Sequence, residues 1–222
     1  MGRASLVQDL WLGFEARLRG RRLAPWEEPA TRLLFQLDAG QRLDDAPVAS
    51  LLESLAGRVE VIAWEPRCAG APPGLELIED ARRIASEGGR RFGDRPVLLG
   101  GQGVSAWAAL ALADTPGLAG VLALAPSLRH AGPTAAGPLA PAPSPLRAAL
   151  ASALLVKPPA LPLLVVEGRE RPAPEARVVA EWVTRAPSAA LLVVGGGDDA
   201  LLEEPWLSVI AAWADARGRV GP

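Results

Sequence analysis

The stretch Arg95-Pro-Val-Leu-Leu-Gly-Gly-Gln-Gly-Val-Ser-Ala-Trp-Ala-Ala-Leu-Ala-Leu-Ala113 decides the reading of this chain. Pro96 to Leu99 predict a short apolar strand, bounded by Gly100 and Gly101. Gly103 to Ala113 predict a helix of small and apolar residues, and the glycine-dense turn between the two carries Gln102 at its tip. A buried strand turning sharply into a helix presents its tip at the carboxyl edge of a sheet, where α/β folds place their chemistry.

Working outward, strand and helix patterns alternate on both sides of this turn. Thr31 to Leu37, Val59 to Trp64, Gly120 to Ala125, Leu163 to Val166 and Leu191 to Val194 are apolar runs of strand length. Between them, Val48 to Leu55, Leu75 to Glu87, Pro145 to Val156, Pro174 to Thr184 and Glu203 to Ala214 predict helices. In the last of these Trp206, Val209, Ile210 and Trp213 form one apolar face, and Glu203 and Glu204 stand where a helix dipole favours acid. Apolar strands alternating with helices imply a mostly parallel sheet of about six strands, covered on both faces.

Residues 1–30 read as a separate N-terminal piece, and residues 31–222 as the α/β domain. Leu6, Val7, Leu10, Trp11, Phe14 and Leu18 fit one face of an amphipathic helix, which Arg17, Arg19, Arg21 and Arg22 follow. The Leu6–Leu18 helix is thus a candidate docking element for a partner. A Pro/Ala-rich segment within residues 127–160 is too poor in patterned apolar residues for core and reads as a cap-like insertion.

Composition narrows the function classes. The chain has 222 residues, half of them hydrophobic, ample for a real core. A net charge of −2 argues against a nucleic-acid surface spread over the whole protein. No uncharged apolar run reaches the ~18 residues of a membrane span. Asp9 and Glu15 interrupt the early apolar segment, against a signal peptide. The single cysteine, Cys68, cannot form an intrachain disulfide, and a cytoplasmic location is expected. The glycine clusters lack the spacing of phosphate loops, against a nucleotide site, and no metal or other cofactor is expected.

The segments in this order resemble the α/β-hydrolase superfamily over roughly Arg32 to Ala214. Val61 to Gly70 is similar to that family's post-strand pattern of an acid, an arginine and glycines. Val97 to Gly100 leads into the elbow turn, and Gly120 to Pro126 resembles the strand that follows the elbow helix. Leu163 to Gly168 resembles the strand before the catalytic acid, and Gly195 to Gly197 with Leu201 to Pro205 the surroundings of the catalytic histidine. The resemblance implies a catalytic triad on these loops.

The residues standing at the implied triad positions are of the wrong kind. The five-residue elbow reads Gly100-Gly101-Gln102-Gly103-Val104, with Gln102 in place of the nucleophile. Arg171 falls where the acid is expected, and Asp198, followed by Asp199, where the histidine is expected. A triad needs a nucleophile, an imidazole to take its proton, and a carboxylate to orient that imidazole. The expectation is therefore a catalytically inactive relative, a pseudoenzyme, binding a protein partner or a small ligand at the former active-site edge. The implied oxyanion donors lie at Gly103 and around Asp38 and Ala39, so Asp38, Ala39, Gln102, Gly103 and Asp198 are the candidate ligand-binding residues. Two alternatives stand beside it: a lyase, isomerase or cyclase using Asp198 or Asp199 with the single histidine, His130; or a serine hydrolase whose nucleophile is displaced to Ser105.

Overall fold

The computed structural model describes residues 6–13, 17–67, 74–127, 145–155, 160–170, 173–197, 203 and 205–219. They build one eight-stranded sheet with strand order β1-β2-β4-β3-β5-β6-β7-β8. The strands are β1 (Leu6–Leu12), β2 (Leu18–Ala24), β3 (Arg32–Gln36), β4 (Glu60–Trp64), β5 (Val97–Gln102), β6 (Leu118–Leu124), β7 (Leu163–Gly168) and β8 (Ala189–Val194). From β4 to β8 every pairing is parallel, while β1 and β2 join antiparallel. The helices are α1 (Ala46–Ala56), α2 (Glu76–Phe92), α3 (Val104–Ala111), α4 (Pro145–Leu155), α5 (Ala173–Arg185) and α6 (Trp206–Arg219).

The sheet is covered on both sides, which is why its inner strands read as unbroken apolar runs. Alternate residues of each strand feed two separate cores. Leu34, Ile62, Trp64, Leu99, Val121, Ala123 and Val165 pack with residues of α2, α3, α4 and α5. Leu33, Phe35, Val61, Leu98, Leu122, Leu124 and Val166 pack with α1 and α6. The parallel arrangement lines up the carboxyl ends of β3, β5, β6, β7 and β8 along one edge, and the candidate site lies there.

Two sequence expectations are corrected. The sheet has eight strands rather than about six, and the N-terminal segment is a β-hairpin rather than an amphipathic helix. The apolar spacing that suggested a helix comes from strand residues whose partners lie across the hairpin: Asp9 stands opposite Arg21 and Trp11 opposite Arg19. Arg21 Nε donates to Asp9 Oδ1 at 2.7 Å, so the basic cluster is paired within the sheet and toward the β3–α1 loop. Most of the cap-like segment, 127–160, lies outside the described residues apart from α4. No helix among the described residues is long and apolar enough to cross a membrane.

Candidate functional site

The turn between β5 and α3 has its tip one residue later than its glycines suggest. Gln102 is the last residue of β5, and Gly103 is the residue that bends the chain, at φ 61° and ψ −124°. A side chain at positive φ is strained, and an elbow stores its strain at this point. α3 then starts at Val104. The elbow pentad is therefore Gly101-Gln102-Gly103-Val104-Ser105, with a small residue two places to either side of the tip. The small flanks have a packing cause: a Cβ on Gly101 would overlap the Ser105 carbonyl group, so β5 and α3 come together only with glycine there.

Relocating the tip changes which amide points where. The Gly103 N–H donates to the Leu124 carbonyl at 3.0 Å, extending the β5–β6 pairing past the strand. The next amide, of Val104, points instead at Asp38 Oδ1, at 3.0 Å. The Ala39 N–H reaches the same oxygen at 2.8 Å. An oxyanion hole of this fold consists of the N–H after the elbow residue and an N–H from the loop after β3. In this chain the Ala39 and Val104 amides converge on one carboxylate oxygen of Asp38.

Asp38 also fills the volume above the elbow. A Cβ placed on Gly103 would overlap the Asp38 carboxylate. An elbow side chain and the Asp38 carboxylate in this position exclude one another. The N-terminus of α3, where unsatisfied amides and the helix dipole favour an anion, accounts for the carboxylate lying there.

The loop that carries Asp38 is firmly seated. Leu37 donates its N–H to the Trp64 carbonyl at 3.1 Å, and the Asp38 N–H donates to Gln41 Oε1 at 3.0 Å. Farther along, Glu65 is buried and accepts from the Leu43 N–H, from Arg19 and from Arg42. Arg21 donates to the Leu43 carbonyl and pairs with Asp44. Arg19 and Arg21 hold the Asp44 carboxyl below its ordinary range, by hydrogen bonds first and charge second.

Ser105 is fully buried in the first turn of α3, where its hydroxyl donates to the Leu37 carbonyl at 2.7 Å. It ties the helix to the residue that follows β3. Gln102 lies beside the tip, half-buried, and its Oε1 has no hydrogen-bond partner among the described residues. At the end of β6, Ala125 holds φ 45°, and the Ser127 N–H donates to the Gly103 carbonyl at 3.0 Å. His130, Arg171, Asp198 and Asp199 lie outside the described residues. Among the described residues no cluster of His, Cys, Asp and Glu is arranged to hold a metal ion. A cavity lined by Glu27, Glu28, Arg58 and Asp215 lies by the α1–β4 turn, at the opposite end of the strands.

The sequence reading missed the part played by the Val104 amide and the position of the tip. The signal that finds both is the spacing of small residues, Gly101 and Ser105, about Gly103.

Strand order and elbow define an α/β-hydrolase fold. The sequence matches no family model and no curated protein. Among solved structures, a hyperthermophilic esterase from the archaeon Pyrobaculum calidifontis is similar over 98% of this chain and 87% of its own, with TM-score 0.74 and 16% identity. A Thermus thermophilus protein is similar over 97% of this chain and 100% of its own, with TM-score 0.69 and 22% identity. An esterase of the bacterial hormone-sensitive lipase family is similar over 99% and 86%, with TM-score 0.67 and 18% identity. At such identities the likeness establishes the fold. The expectation of an inactive, partner-binding relative, with its lyase, isomerase or cyclase alternative, is overturned by the first and third of these neighbours, which are esterases.

Proposed function

We propose that this chain is a hydrolase of carboxylic esters that works without a nucleophile at the elbow. The observation that carries the reading is the convergence of the Ala39 and Val104 amides on a single anionic oxygen. Two preorganised N–H groups at a helix N-terminus stabilise the charge that develops on a carbonyl oxygen during acyl transfer.

Gly103 supplies no attacking group, and the Ser105 hydroxyl is committed to Leu37. Water is therefore the nucleophile. The ester carbonyl oxygen takes the place of Asp38 Oδ1 between the two amides, and the displaced carboxylate stands beside the carbonyl carbon. Asp38 accepts a proton from water as the water oxygen bonds to that carbon. The resulting oxyanion is held by Ala39 and Val104. Its collapse expels the alkoxide, which takes the proton back from Asp38, and the carboxylic acid product leaves.

The test is turnover of p-nitrophenyl acetate and butyrate by the wild type and by Asp38→Asn. General-base removal is expected to lower kcat by about 10²- to 10⁴-fold. A fluorophosphonate probe is expected to leave every serine unlabelled. A stoichiometric serine adduct would overturn the water mechanism, and no turnover above the uncatalysed rate would overturn the hydrolase reading.

A further inference from the structure

We propose that Glu65 is a positioning residue for the Ala39 amide, acting through the loop between β3 and α1. The inference rests on the ester-hydrolase reading of the site. In that reaction the Asp38 carboxylate gives up the Ala39 and Val104 amides to the ester carbonyl oxygen, so its own hydrogen bonds no longer aim them. The Val104 amide keeps its direction from α3, which starts at that residue. The Ala39 amide belongs to a loop, and keeps its direction through whatever holds the rest of that loop.

Two consecutive residues at the end of β4 hold both ends of it. Trp64 accepts the Leu37 N–H at 3.1 Å on the near side of Asp38. Glu65 accepts the Leu43 N–H on Oε1 at 3.0 Å and Arg42 Nη1 on Oε2 at 3.2 Å on the far side. Between these anchors Gln41 clamps Asp38 from within the loop. The Asp38 N–H donates to Gln41 Oε1 at 3.0 Å, and the Gln41 N–H returns to the Asp38 carbonyl at 3.1 Å. Glu65 is itself fixed to β2: its N–H donates to the Arg19 carbonyl at 3.0 Å, and its Oε1 accepts from Arg19 Nη1 at 3.1 Å. At 7% exposure the carboxylate works mostly out of water. Without it, the Leu43 N–H and two guanidinium groups lose a charged acceptor, and the loop must shift to find another. An oxyanion donor acts fully only when it stands about 3 Å from the transition-state oxygen, so such a shift lowers kcat and leaves KM in place.

The test compares Glu65→Gln and Glu65→Ala with Glu60→Gln, a buried carboxylate held by arginines at the other end of the same strand. With p-nitrophenyl acetate, Glu65→Ala is expected to lower kcat by about tenfold or more, with KM within about threefold of wild type. Glu65→Gln, which keeps an acceptor for the Leu43 N–H, should lose less. Glu60→Gln, assayed where it is folded, should keep kcat within about twofold, because lost stability far from the site does not move the amide. Amide hydrogen exchange by NMR is the readout that needs no turnover. In Glu65→Gln the Ala39 and Gln41 amides should exchange about tenfold faster or more relative to Leu99 of β5, whereas Glu60→Gln should change all three alike. A wild type that turns over while Glu65→Ala keeps its kcat, or loses no more than Glu60→Gln, would overturn the positioning role and leave the hydrolase reading standing. Exchange at Ala39 and Gln41 that follows Leu99 in every variant would overturn it equally. A wild type without turnover, but with the expected exchange, would overturn the hydrolase reading and leave Glu65 as the anchor of the amide.

Discussion

Gly103 and Asp38 share one small volume, and the consequence is measurable as a coupling. Gly103→Ala places a methyl group at positive φ and drives it into the Asp38 carboxylate. The backbone contribution alone costs roughly 1–2 kcal/mol. Asp38→Gly clears the space, so the same alanine should cost less in that background, with a coupling of about 1–3 kcal/mol by urea denaturation. Equal costs in the two backgrounds would show that the carboxylate does not stand over the elbow. Ser105→Ala tests the neighbouring residue. It leaves the Leu37 carbonyl without its hydroxyl donor, a buried loss of about 1–3 kcal/mol, and is expected to leave ester turnover within about twofold of wild type, since a structural hydroxyl carries no chemistry. The turn itself was legible in the glycines around Gln102, and Asp38 and Ala39 were legible as the other side of the site. Which residue takes positive φ was not, because Gly100, Gly101 and Gly103 can each adopt it. The positive φ of Gly103, with Gly101 packed against Ser105, settles the register.

At the scale of elements, the five strands β3 to β7 could be read because burial on both faces demands uninterrupted apolar side chains, and the edge strand β8 because its run Ala189–Val194 is apolar throughout. The outer hairpin could not, because β1, exposed along most of its length, mixes Leu, Gln, Asp and Trp in an order that also fits a helix. The two structures put different residues inside. In the hairpin, Leu12 is 2% exposed and belongs to the core over α2 and α3, whereas Leu6 at the other end is 40% exposed. Leu12→Ala should therefore cost about 2–5 kcal/mol, the range for a buried leucine. Leu6→Ala should cost less than about 1 kcal/mol, as surface truncations do. Urea midpoints of the two variants decide the matter: similar small losses would mean that the N-terminal segment is a peripheral attachment and not part of the sheet.

At the scale of the whole molecule, the two ends of the sheet divide the work. The carboxyl end presents the amide pair, and the amino end carries a buried ion cluster at the junction of β2, β3, β4 and the start of β5. Glu60 opens β4 with no exposed surface and accepts from Arg32 at 2.7 and 2.8 Å, from Arg22 at 2.6 Å and from Arg95 at 3.0 Å. Arg32 is likewise fully buried and donates to the Gly93 carbonyl. Burial by itself would push the Glu60 carboxyl up; the hydrogen bonds and charge of Arg32, with Arg22 behind them, outweigh it and bring it below its usual 4.5. A carboxyl depressed in the folded state stabilises the fold fully above the value of the unfolded chain, and loses that contribution as pH falls through the folded value. Asp80 acts in the opposite sense, because burial raises it despite Arg67, so its contribution is lost as pH rises through its folded value. The informative comparison is thus between wild type and Glu60→Gln. At pH 7 the variant leaves buried guanidinium charge without its counter-charge and should be about 3–5 kcal/mol less stable. Toward pH 3 the gap should narrow, since the wild type loses what the variant never had. Urea denaturation across that range is the measurement, and parallel acid profiles for the two proteins would show that another carboxylate governs acid unfolding.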